Sequence, residues 1–309
     1  MDRPQKFSQL RSAMRKLPGP IVSGKVTTVG GLGLVASGLG ESAKIGDRAC
    51  VAGRIPAEVV ATSPEGVRLL PFGTWDGIGR GDNVDLRAGA ADIFPGPEWV
   101  GRVVDAFGDP LDGIELPDGP CAYPLRSAPP DAFDRRVMGE KLETGIRSID
   151  LFTPICRGQR LGIFAGSGVG KSTLMAMLAR QTNADVIVMG LVGERGREVQ
   201  DFITRDLGPE GMARSAVVVA TSDQPPLVRR QAAYTATAIA EYYRDQGKQV
   251  LLMIDSVTRF ATAQREIGLA AGEPPATRGY TPTVFTELPR LLERSGPGSA
   301  NSKSGDITA

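Results

Sequence analysis

Histidine is missing from all 309 residues. Its absence excludes Ser-His-Asp hydrolysis, His-ligated metal sites and imidazole acid–base catalysis. Cysteine is scarce: Cys50, Cys121 and Cys156 are odd in number, widely spaced and form no C-x-x-C. They read as reduced thiols of a cytosolic protein, not a disulfide frame or zinc site. Charge of one sign is lacking too, with 36 Lys and Arg against 35 Asp and Glu. No overall field therefore draws the chain toward nucleic acid or an anionic surface. No apolar run approaches the roughly 20 residues of a membrane span, and no secretory apolar region follows the start. Chemistry is left to carboxylates, Lys, Arg and a metal ion held by hydroxyl and carboxylate oxygens. The length allows two domains and a sizeable core.

The most informative stretch is 161–174, LGIFAGSGVGKSTL. An apolar run enters a loop of Gly166, Ser167, Gly168, Val169 and Gly170, after which Lys171, Ser172 and Thr173 open an apolar helix. A strand, glycine loop and helix in this order cradle a triphosphate. Glycines let successive N–H groups turn toward one anion, and the helix N-terminus adds partial positive charge. Lys171 supplies a full charge for the β/γ-phosphates and Ser172 a hydroxyl for Mg²⁺. Ala165 stands where G-x4-G-K-[ST] has its first glycine. A glycine-rich turn with a chance Lys-Ser is the plain alternative.

Residues 1–18 carry five basic side chains against Asp2, with Phe7, Leu10, Met14 and Leu17 on one helical face. Such a segment suits docking on a partner or anionic lipid, and equally a solvated leader. Residues 19–91 change to short runs broken by turns, the pattern of a small β-barrel. Within them GLGLVA, 31–36, matches the dinucleotide fingerprint but lacks the following helix and the acidic residue, so it reads as a hairpin. Residues 92–133, rich in Pro and Gly, read as a surface-wrapped linker with one strand at WVGRVVDAF, inside a nucleotide-binding domain spanning 92–309. Beyond residue 136 the spacing predicts strands at 160–165, 185–191, 215–220 and 249–254. It predicts helices at 170–181, 197–206, 227–246 and 282–294. The fold class is therefore α/β: a mainly parallel sheet with helices on both faces, preceded by the barrel.

Ligands of such sheets bind at the C-terminal strand edge. The run QVLLMID delivers Asp255 there, placed to hold Mg²⁺ opposite Ser172, unless it caps the helix that follows. The run DVIVMGLVG ends at Glu194 and Arg195. Glu194 there could orient or deprotonate an attacking water while Arg195 balances charge. An ordinary surface ion pair fits the same spacing, which alone does not separate the two.

From about residue 140 to 294 the chain resembles the catalytic subunits of the rotary ATP synthase family, and within it the flagellar protein-export ATPases and their type III secretion relatives. The resemblance is carried by ETGIRSIDLFTPICRGQRLGIFAGSGVGKSTL, GLVGERGREVQDF, QPPLVRRQAAYTATAIAEYYRDQGKQVLLMIDSVTRFA and REIGLAAGEPPATRGYTPTVF. It implies a RecA-like core in which Glu194 activates water and Lys171 and Ser172 serve ATP and Mg²⁺. It further implies Asp255 as the strand-end aspartate and Arg259 of SVTRF as a phosphate sensor. Non-catalytic sister subunits carry glutamine where this chain has Glu194. The resemblance also implies a homo-oligomeric ring, a hexamer, hydrolysing ATP at subunit interfaces. Its partners would be an export-apparatus regulator, stalk proteins, export substrates and chaperones, with no nucleic acid. Its place would be the cytoplasmic face of the bacterial membrane, in peripheral contact. By the family pattern an adenine-stacking aromatic, an arginine given in trans and a helical domain follow the GDITA with which this sequence stops. Two rival readings share the core: an RNA-translocating ring helicase, whose barrel would need more aromatics than Phe72 and Trp75, and an inert nucleotide-binding subunit, against which Glu194 argues.

Overall fold

The computed structural model describes residues 22–31, 33–87, 91–166 and 168–309. The amphipathic segment expected over 1–18 and the loop residue Ser167 lie outside them. The chain divides into two compact units, residues 1–89 and 90–309.

In the first unit six strands close into an antiparallel barrel: β1 (Val22–Gly30), β2 (Gly33–Ser37), β3 (Arg48–Val51), β4 (Ile55–Ser63), β5 (Gly66–Pro71) and β6 (Asn83–Arg87). Their order around the barrel is β1-β2-β5-β4-β3-β6. Alternate residues point inward, so Leu34 and Ala36, Ala49 and Val51, Val67 and Leu69, Val84 and Leu86 share one core. The described part of the fingerprint-like GLGLVA runs into β2, which pairs with β1 as a hairpin with Gly30 opposite Gly33.

In the second unit a five-stranded sheet runs β15-β14-β12-β13-β8, every neighbouring pair parallel. Its strands are β8 (Val103–Val104), β12 (Val186–Glu194), β13 (Ser215–Thr221), β14 (Val250–Asp255) and β15 (Ile307–Thr308). Two short pairs accompany it: β7 (Asp92–Ile93) with β9 (Tyr123–Pro124), and β10 (Lys141–Leu142) with β11 (Ile155–Cys156). The helices are α1 (Arg147–Phe152), α2 (Lys171–Gln181), α3 (Gly196–Asp201), α4 (Gly208–Met212), α5 (Pro226–Asp245), α6 (Val257–Ala271) and α7 (Pro282–Glu293).

Strand periodicity sorts the sheet residues between two faces. Ile187, Met189 and Leu191 of β12, Val217 and Val219 of β13, and Leu251 and Met253 of β14 pack with Met175, Ala176, Leu178 and Ala179 of α2. The opposite face meets α5, where a Cβ on Gly190 would come within 3.1 Å of Ala236. Both faces are covered, so the central strands read as continuous apolar runs. Of the helices, α5 is the most enclosed, buried over most of its 20 residues. Among the described residues no helix is long and apolar enough to cross a membrane, and Cys50, Cys121 and Cys156 are unpaired.

Three expectations need correction. Residues 161–166 form no strand and are exposed. Pairing there stops after Leu161 N–H donates to the Ala309 carbonyl at 2.8 Å and Ala309 N–H to that of Gln159 at 3.1 Å. The helix expected over 197–206 instead breaks at Asp201 into a π-helical turn, Phe202–Leu207, and then α4. The expected linker is less detached than its composition suggests. Trp99 and Leu125 are buried, and Val103–Val104 supplies the sheet's edge strand.

Candidate active site

The N-terminus of α2 follows two glycines in left-handed conformations. Gly170 precedes it with φ +95° and Gly168 with φ +77°, left-handed conformations that favour glycine. No side chain caps the helix and no acidic residue occupies its first turn. Its leading N–H groups therefore stay available as donors. Gly166 has open space where a Cβ would stand. Val169, Ser172 and Thr173 are exposed and Lys171 is half-buried.

Lys171 Nζ forms an ion pair with Asp255 Oδ1. Asp255 ends β14 and is 6% exposed, so the apolar run VLLMID delivers a buried carboxylate to the loop. It does not cap the following helix. Ser256 does, its hydroxyl accepting from the Arg259 N–H at 3.3 Å. Among the described residues no three His, Cys, Asp or Glu converge as a metal cage. Ser172 and Asp255 offer hard oxygens, a donor set that suits Mg²⁺ shared with phosphate and water.

Glu194 ends β12 and is half-buried. Burial pushes its carboxyl above the usual range, and the charge of Asp255 and a hydrogen bond with Glu198 push the same way. The cations Lys171 and Arg259 pull it back only in part. Arg259 stands in the first turn of α6, its stem against Gly193. Arg195 is placed differently: its side chain is 79% exposed and pairs with Glu198 at 3.4 Å, at the start of α3. The fold thus gathers Lys171, Asp255, Glu194 and Arg259 at one end of the sheet and points Arg195 at a surface carboxylate. Sequence reasoning missed α6, which carries Arg259. The N-cap serine Ser256, followed by apolar residues at helical spacing, was the signal for α6.

Residues 145–309 match the family model of the ATP synthase alpha/beta family, nucleotide-binding domain. The flagellum-specific ATP synthase of Caulobacter vibrioides is 51% identical over 294 residues, covering 94% of this chain and 66% of that protein. That of Bacillus subtilis is 52% identical, covering 93% and 65%. The type 3 secretion system ATPase of Xanthomonas euvesicatoria is 52% identical over 253 residues, covering 82% and 56%. Among solved structures, the assembled ATPase EscN with its central stalk EscO, from enteropathogenic E. coli, superposes with a TM-score of 0.84 at 44% identity. The match covers 93% of this chain and 69% of that one. The chain spans 66% and 65% of the two flagellar relatives' length.

Proposed function

Since the chain belongs to the ATP synthase alpha/beta family, we propose that it is a Mg-ATP hydrolase whose turnover energises protein export through a flagellar or related type III secretion apparatus. The observation that carries this reading is the half-buried carboxylate of Glu194 beside the Lys171–Asp255 pair at the mouth of a glycine loop. Lys171 and the leading N–H groups of α2 bind the β/γ-phosphates. Ser172 and Asp255 would hold Mg²⁺, which when bound would supply positive charge against the phosphate oxygens. Glu194 orients a water for in-line attack on the γ-phosphoryl and accepts its proton at a carboxylate oxygen. Arg259 offsets the charge that spreads over the transferred group.

The assembled state of EscN with a central stalk supports a homo-oligomeric ring with a stalk partner. We assign this chain to a hexamer with sites at subunit interfaces, serving substrates, chaperones and a regulator at the cytoplasmic face of the membrane. Residues 1–18 are our candidate for peripheral membrane contact. The RNA-helicase alternative finds no stacking platform in Phe72, which is buried with the Arg48 guanidinium 4.0 Å from its ring centre.

Single-turnover hydrolysis tests the reading. Glu194→Gln should bind Mg-ATP nearly as the parent does while turnover falls roughly 10²–10⁴-fold, the worth of a positioned base. Lys171→Ala should lose tight binding in a fluorescent-nucleotide titration. Undiminished hydrolysis by Glu194→Gln would remove the base from the mechanism.

A further inference from the structure

The register of the central sheet singles out one residue. β12 pairs with β13 one-to-one from Ile187 opposite Ser215 to Val192 opposite Ala220, and then Glu194, not Gly193, stands opposite Thr221. Gly193 is an extra residue, a β-bulge at the strand's tip, with φ +75°. Against β14 the register is unbroken up to Leu191 opposite Asp255. The parity of side chains makes the bulge matter. In a regular strand Glu194 would share the face of Gly190 and Val192, the face that packs on α5. One inserted residue moves it to the other face, in register with Thr221, which follows Val217 and Val219 on the α2 side. Asp255 follows Leu251 and Met253 on that same side. On Gly193 itself, a Cβ would stand 3.0 Å from Arg259 Cβ, 3.1 Å from its Cγ and 3.3 Å from its Cδ. The Ser222 N–H holds the turned-out end by donating to the Glu194 carbonyl at 2.9 Å.

We propose that Gly193 is a positioning residue of this site: its bulge turns Glu194 to the phosphate side of the sheet, and its bare Cα is the seat on which the stem of Arg259 rests. One residue without a side chain thereby fixes the base and the arginine relative to each other. The proposal rests on the reading of Glu194 as the base.

The test is a double-mutant cycle with Gly193→Ala, Arg259→Gly and both together. Turnover, Mg-ATP affinity and thermal midpoint are read for each. Gly193→Ala should lower kcat about 10–10²-fold, the effect of an ångström-scale displacement, with Kd changed by less than about threefold because Lys171 and its loop are untouched. In the Arg259→Gly background, where Cβ, Cγ and Cδ are all gone, the same alanine should cost several-fold less in turnover and lower the midpoint less. Equal losses in both backgrounds would mean additive, independent effects and would overturn the seat. Unchanged kcat in Gly193→Ala would overturn the positioning role. Should Gly193→Ala fail to fold, folding of the double variant supports the proposal and its failure overturns it. If the parent chain hydrolyses nothing, the hydrolase reading falls, while the midpoint cycle still decides whether Arg259 sits on Gly193.

Discussion

In the role we propose for it, Glu194 would have to be charged, and it is held where charge is disfavoured. Its carboxyl titrates above the ordinary 4.5, chiefly through burial and then through Asp255. Hydrolysis should therefore gain its acid limb through that raised value, and kcat/KM measured against pH should rise with the ionisation of this one group. Stability runs the opposite way. The folded chain binds this proton more tightly than the unfolded chain, so stability falls as pH climbs from 4.5 through the raised value. Glu194→Gln should accordingly melt close to the parent near pH 4 and above it near pH 7, by calorimetry at both values. Glu194 and Asp255 could be placed at the sheet edge from sequence because each ends an apolar run, and Lys171 could be singled out by its glycine loop, whereas the role given to Glu194 came from the family resemblance. Gly193 could not be singled out, since a one-residue slip against a single neighbour leaves no periodic mark.

Helix α5 is tied to the end of α7 by one buried contact. Arg294 clamps Glu241 with Nε to Oε1 at 2.8 Å and Nη2 to Oε2 at 2.7 Å, and Nη1 donates to the Leu125 carbonyl at 2.6 Å. The two side chains are 2% and 5% exposed. Arg294→Ala would leave a buried carboxylate and a buried carbonyl without partners, at a cost of about 3–5 kcal/mol, readable as a lowered midpoint in urea. The length of α5 and the strands around it could be read from sequence, because burial on both faces writes long apolar runs. The π-helical turn at Phe202–Leu207 could not, since one extra residue in a helical turn barely shifts the apolar spacing. The strand expected over 160–165 is not formed among the described residues.

The two compact units divide structure from chemistry. All of Lys171, Ser172, Glu194, Asp255 and Arg259 fall within residues 90–309. That unit alone should bind Mg-ATP within a few-fold of the complete chain's affinity in a nucleotide titration. A large loss would assign the barrel a part in binding. The barrel's alternating strands were plain in the sequence, whereas the segment after it looked like a linker because Pro and Gly hide its buried Trp99 and Leu125. One contact within the second unit has a wider thermodynamic meaning. Lys171 and Asp255 are each other's counter-ion, so on the proposed reading a phosphate drawn to Lys171 weakens its hold on Asp255, and a cation drawn to Asp255 weakens its hold on Lys171. The anion and the cation therefore do not compete. Each removes the internal rival of the other, and by linkage magnesium tightens nucleotide by the same factor as nucleotide tightens magnesium.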